Sequence, residues 1–308
     1  MALLPLMVQA EIPVEREQQF TYYFYAAIQS IEMEQYDKAL MQLLFCEQLN
    51  PEDGQTKDHL GLIYMALGDT VRARTYWEQA YQLSPDDLWE HYARALYASD
   101  NKKDQKQVIR ILERAVKTHP KDEDPLDQLV NVYIANGLYK KALKAQQQLD
   151  EIKGYDAYSA ITYYRIHVLN GQPKKALQAV NDYIEVEPRD LRFHLFRVQL
   201  YEQIGVSWDR MAAIYQAYLD EDPYSLMVLN NYAYGIATHG GDLKEAERMS
   251  LRTLQEEPNN PVYLDTYAWI LHLQGQDSLA GFYIRKALEM ASGNEIEEVK
   301  QHYQIIVK

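Results

Sequence analysis

The side chains able to do chemistry are thinly spread along this chain of 308 residues. Its histidines, His59, His91, His119, His167, His194, His239, His272 and His302, are scattered rather than clustered. Two imidazoles brought together can hold zinc, and His239 and His272 sit at comparable places in successive segments. Neither has a carboxylate or thiol at ligand spacing, so each reads as a solvated or hydrogen-bonded side chain. No metal site and no cofactor are expected. The single cysteine, Cys46, excludes an intrachain disulfide and any cysteine-based metal centre. It falls on an apolar helical face and reads as a small core residue. The chain has no phosphate loop ending in Gly-Lys-Ser/Thr, no dinucleotide glycine fingerprint, no nucleophile-elbow serine and no zinc-protease histidine pair. It reads as a non-enzyme.

Charge narrows the partners. Against 31 basic side chains stand 45 acidic ones, for a formal charge of −14. Phosphate binding needs concentrated positive charge, so nucleic acid is not expected as a partner. One stretch runs against the whole: Lys102, Lys103, Lys106, Arg110, Arg114, Lys117 and Lys121. Lys106, Arg110 and Arg114 share a helical face by i,i+4 spacing. Such a run is ordinarily a solvated face; the sharper reading is a docking patch for an acidic partner or an anionic membrane surface. Membrane contact is expected to be peripheral at most, because no run approaches the ~20 apolar residues of a span.

The elements carrying these residues are set by a repeat. Pro51 and Pro85 lie 34 residues apart, Pro85 and Pro120 35, Pro120 and Pro188 68, and Pro223 and Pro258 follow at steps of 35. Ala39, Ala73, Ala142, Ala176, Ala246 and Ala280 run in phase. Each period holds two apolar stretches of helical periodicity, a Gly- or Asn-containing turn between them, and then the proline. That is a pair of antiparallel helices, A and B. In the second period Gly61 and Ala73 let the two helices approach, Tyr64 and Trp77 fill the space between successive pairs, Gly68 ends helix A, and Pro85 stops helix B.

This residue set resembles the tetratricopeptide repeat, over about residues 20 to 292. The resemblance is strongest in Leu229-Asn-Asn-Tyr-Ala-Tyr-Gly-Ile-Ala237 and Tyr263-Leu-Asp-Thr-Tyr-Ala-Trp-Ile-Leu271. It implies an all-α fold, a right-handed α-solenoid of eight helix pairs starting near Phe20, Gly54, Leu88, Glu123, Ala157, Leu191, Met227 and Pro261. Asn260-Pro261 and Asp124-Pro125 place an N-cap before proline at the first helical position. Val108 and Met211 replace the small alanine in the third and sixth pairs, which should be splayed wider. The glycine-bearing join Glu151-Ile-Lys-Gly-Tyr-Asp156 is the expected bend, dividing residues 20–156 from 157–292. Residues 293–308 form a capping helix, or the first helix of a ninth pair. Residues 11–19 lead into the first helix. Residues 1–10 look like the back half of an export signal, placing the protein in the periplasm or cell envelope, with the cytoplasm as the alternative.

The resemblance also implies where a partner sits: on the inner face, built from the A helices. Carried over position by position, it points to Asn131, Tyr158, Arg165, Arg192, Asn231, Asp265 and Trp269, with Leu62, Leu96, Gln199, Gly235, Trp89, Tyr92 and Asp127 beside them. Asparagine can bond both backbone groups of an extended peptide, and Arg165 can take a carboxylate bidentately. The family's lysine clamp for C-terminal carboxylates does not carry over, since Asp58, Tyr92, Asp127 and Asp265 stand where lysine is required. The expected function is a non-catalytic scaffold holding a peptide or protein in its groove. The alternative is a structural component of an envelope complex, acting or self-associating through its convex face and end caps.

Overall fold

The computed structural model describes residues 14–99, 101–293 and 295–307, and the described residues form seventeen helices and no strand. They divide into two compact units at Asn170/Gly171. The first unit contains α1 (Val14–Glu32), α2 (Tyr36–Leu49), α3 (Gly54–Ala66), α4 (Thr70–Leu83), α5 (Glu90–Tyr97), α6 (Lys102–Thr118), α7 (Glu123–Ala135), α8 (Tyr139–Lys153) and α9 (Ala157–Leu169). The second contains α10 (Pro173–Val186), α11 (Leu191–Gln203), α12 (Trp208–Glu221), α13 (Leu226–Thr238), α14 (Leu243–Glu256), α15 (Pro261–Leu273), α16 (Asp277–Met290) and α17 (Glu295–Ile306). The division falls one helix beyond the Glu151–Asp156 join. Odd-numbered helices are the A members and even-numbered ones the B members.

Local chemistry sets the helix ends. Asp53, Asp69, Asp156 and Asn260 each cap a helix by accepting a backbone N–H in its first turn, from Thr56, Arg72, Ser159 and Val262 respectively. Pro261 and Pro173 open α15 and α10 as expected. At α7 the cap is Asp122, two residues before the expected Asp124, and accepts from Asp124 N at 3.1 Å. Gly68, at φ +82°, turns the chain from α3 into α4.

Packing follows the in-phase alanines: Ala39, Ala73, Ala142, Ala176, Ala246 and Ala280 are all fully buried. Where α3 crosses α4, a Cβ on Gly61 would strike the Trp77 indole, whose Nε1–H donates to Asp58 O at 3.2 Å. Gly235 and Trp208 repeat the device in the second unit. In the first unit one buried cluster runs from Ala27 to Ile166. The sixth pair has a cavity of about 290 Å³ beside α11 and α12, lined by His194, Arg197, Ile214 and Tyr218. Met211, 2% exposed, holds that pair's alanine position. In the third pair Val108, 1% exposed, holds the alanine position, α5 has only 8 residues, and Trp89, just before it, is buried.

One boundary differs from the sequence reading. Helix α1 begins at Val14, so residues 14–19 belong to the first A helix rather than to a lead-in. The export-signal reading of residues 1–10 lies outside the described residues. At the other end α17 buries Val299 and Ile306 against the α15/α16 core, as a capping helix would.

Candidate functional site

Three expected groove residues meet in the first unit. On α7 the residues Leu129, Val130, Val132 and Tyr133 are buried, which turns Asp127, Gln128 and Asn131 to the other face. The Asn131 Nδ2 donates to Asp127 O at 3.0 Å and to Tyr158 Oη on α9 at 3.5 Å. Its donor is thus committed within the protein, while its Oδ1 accepts no hydrogen bond among the described residues and can take an N–H. Arg165, also on α9, is exposed and makes no ion pair or hydrogen bond among the described residues.

Asn131 and Arg165 line one cavity of about 360 Å³. Its apolar wall comes from Ala93, Val108, Leu112 and Val132, and its polar groups include Arg94, Asp127, Gln128, Asn131 and Arg165. The Arg94 guanidinium is bonded to Glu90 at 2.5 Å on its own helix, so Arg165 is the cation with charge to spare. Tyr158 stands at the edge, 41% exposed, with the Lys153 ammonium 4.7 Å from its ring centroid. An apolar slot with an unpaired guanidinium, a free amide oxygen and an exposed phenol can hold an extended polar chain by both backbone and side chain.

The other expected residues fare differently. Arg192 is engaged by its own helix cap: Nη2 bonds Asp190 Oδ2 at 2.6 Å and Nε bonds Oδ1 at 3.0 Å. It is a cap partner rather than a free groove cation. Asn231 and Asp265 line a second cavity of about 180 Å³ together with Tyr215, Asn230, Tyr234 and Glu298. Asp265 is 5% exposed, and its Oδ2 accepts from His302 Nδ1 at 2.8 Å. Trp269 stacks on the His302 ring at 4.5 Å between centroids. Both expected groove residues on α15 are therefore covered by α17 rather than open to a ligand. Leu96, Tyr92 and Trp89 are core residues, and Gly235 is taken up by Trp208.

The sequence reading passed over Glu298 and counted His302 only among the scattered histidines. The i,i+4 spacing of these two residues on the cap helix was the available signal. Burial, reinforced by the Glu298 and Asp265 carboxylates, pushes the neighbouring Tyr234 hydroxyl up to about 12. The two histidines first weighed as a zinc pair have other partners, His272 with Asp277 at 2.7 Å and His239 with Glu202 at 3.7 Å.

The basic patch lies on α6, a B helix, with Lys106, Arg110 and Arg114 all exposed. Arg114 bonds Asp86 at 2.7 Å, which holds the Asp86 carboxyl below its ordinary range. Lys106 and Arg110 have no partner among the described residues, so of these three side chains two offer free charge.

A sequence model of the tetratricopeptide repeat matches residues 56–87, which are α3, α4 and the turn after them. The chain carries tetratricopeptide repeats. A TPR repeat-containing protein of Pseudomonas aeruginosa is 28% identical over 157 residues, half of this chain and 26% of its own length. This chain thus spans about a quarter of that relative. The C-terminal part of a TPR repeat-containing protein from Cytophaga hutchinsonii superposes with TM-score 0.58 at 15% identity, over 79% of this chain and 98% of its own. A tetratricopeptide repeat protein from Parabacteroides merdae gives TM-score 0.50 at 14% identity, over 94% of this chain and all of its own. At these identities the likeness is one of fold. Tetratricopeptide repeats generally serve protein–protein interaction and are typically non-catalytic scaffolds.

Proposed function

We propose that this protein is a binding scaffold that takes an extended, carboxylate-bearing segment of a protein partner across α5, α7 and α9. The observation that carries the reading is Arg165, an exposed, unpaired guanidinium beside the free Oδ1 of Asn131 in a cavity with an apolar wall. An acidic side chain or chain terminus would be held bidentately by Arg165, with a backbone N–H donated to Asn131. Hydrogen bonds to charged groups contribute about 1.5–3 kcal/mol, so Arg165→Ala should weaken binding about 10- to 100-fold. A single short segment would bind at about the micromolar level, and a partner gains by engaging several repeats at once.

The test is affinity capture from an extract of the native host, with wild type, Arg165→Glu and Asn131→Ala as baits. Retention of a partner by wild type and its loss on Arg165→Glu support the reading. The same proteins on all baits, or none on any, would overturn it and move the search to the outer face.

A further inference from the structure

We propose that Asp265, Glu298 and His302 bind a divalent transition-metal cation that fastens α17 to α15. Each can offer one ligand atom, and these atoms lie within 4.8 Å of one another. Glu298 and His302, four residues apart on α17, present their side chains on one helical face. Asp265 comes across from α15, already touching His302 Nδ1 through Oδ2 at 2.8 Å.

Two buried acceptor atoms beside this group have no donor among the described residues. Asp265 Oδ1 is buried and accepts no hydrogen bond. Asn230, 3% exposed and lining the same cavity of about 180 Å³, also has its Oδ1 buried without a donor. Both atoms can only accept, and a buried acceptor left unmade is costly. A cation meets that need, and the charge of two carboxylates asks for one of higher charge than an ammonium.

The donor set selects the kind of ion. One imidazole with two carboxylates is a mixed nitrogen and oxygen set, suited to Zn²⁺ and its neighbours rather than to Mg²⁺ or Ca²⁺, which favour oxygen alone. Trp269, stacked on His302 at 4.5 Å, and Tyr234, whose Oη lies 3.5 Å from Nε2, hold the ring in place. Glu298 is exposed, so the site has an entry from solvent. Three protein ligands leave a tetrahedral ion one position for water. The site lies in the second unit and is independent of the partner reading, which rests on α5, α7 and α9.

The experiment uses the whole chain, stripped with a chelator and then dialysed against Zn²⁺ or Mg²⁺, with bound metal and melting temperature measured. Wild type should retain one Zn²⁺ per chain and melt higher with Zn²⁺ than with Mg²⁺, because an ion bound only to the folded state stabilises it. Glu298→Ala alters an exposed side chain that the fold does not need, and should weaken Zn²⁺ binding by more than about tenfold. Asp265→Asn keeps the shape, removes the charge, and should do the same. No saturable Zn²⁺ uptake by wild type, or uptake indifferent to Glu298→Ala, overturns the proposal.

Discussion

Gly61→Ala and Gly281→Ala are the same chemical change inside two helices, and the structure predicts opposite signs. Gly281 lies within α16, where a new Cβ would meet only the Arg285 guanidinium tip at 3.3 Å. That tip is the far end of a flexible side chain, so the intrinsic preference of a helix for alanine over glycine prevails, and the variant should gain up to about 1 kcal/mol. Gly61 lies within α3 with the same intrinsic preference, but its Cβ would strike the Trp77 indole. Trp77 is 4% exposed and tied by Nε1 to Asp58 O at 3.2 Å, so it cannot swing away. Overpacking of this kind costs about 1–3 kcal/mol, which outweighs the preference and leaves a net loss of about 1–2 kcal/mol. For a unit of this size that is roughly 2–8 °C of melting temperature. The assay is urea unfolding followed by far-UV circular dichroism, comparing midpoints at equal slope. Trp77→Phe in the Gly61→Ala background should recover part of the loss, as coupled neighbours do. Two substitutions of the same sign, or no coupling between positions 61 and 77, would refute close approach of α3 and α4 across that indole.

Two other features give direct readouts. The Asp58 hydrogen bond raises the His91 pKa above 6.5, with Nδ1 2.8 Å from the carboxylate. A raised histidine stabilises fully below the unfolded value and loses that contribution as pH rises through the folded one, so stability should fall from about pH 6.5 upward. His91→Gln should flatten that slope in urea titrations, while His194, whose pKa burial lowers, contributes a slope of opposite sign in both proteins. Cys46 is fully buried, and burial pushes its thiol up to about 11. Its alkylation should therefore be far slower in native protein than in urea, and labelling at the unfolded rate would mean that α1 and α2 do not close over it.

The helix pairs were legible because they are fixed by neighbours in sequence. The in-phase alanines, the turn at Gly68 and the cap at Asn260 act within one period, and each was found where its residue type requires it. The site was legible only in part. Asn131, Tyr158 and Arg165 do converge, because positions on successive A helices carry over when those helices pack regularly. Asp265 and Trp269 were read as open because their repeat viewed alone leaves them open. What covers them is His302, 37 residues beyond Asp265. Arg192 failed for a local reason: Asp190, the cap of its own helix, lies within reach of its guanidinium.

The acids standing where a carboxylate-clamp lysine would be needed share a consequence. Asp58 on α3 bonds His91 on α5 at 2.8 Å, and Asp265 on α15 bonds His302 on α17 at 2.8 Å. In both places a carboxylate on one A helix meets an imidazole on the next, which ties those two helices together through the protein's own side chains. Trp77 stacks on His91 and Trp269 on His302, which pins each imidazole from one face. Asp127 on α7 holds the equivalent place without a histidine: among the described residues its carboxylate meets only the Asn131 amide, at 3.5 Å. The next A helix there carries Arg165, which stays exposed and unpaired instead of closing the gap. Among these three acidic positions the tie is absent only at α7, and that is where the cavity with its unspent charges opens. A peptide at α3 or α15 would first have to break an acid–imidazole contact, which costs more than a single exposed hydrogen bond returns. The stretch from α5 to α9 asks no such exchange, which favours it over either pinned pair for the partner proposed above.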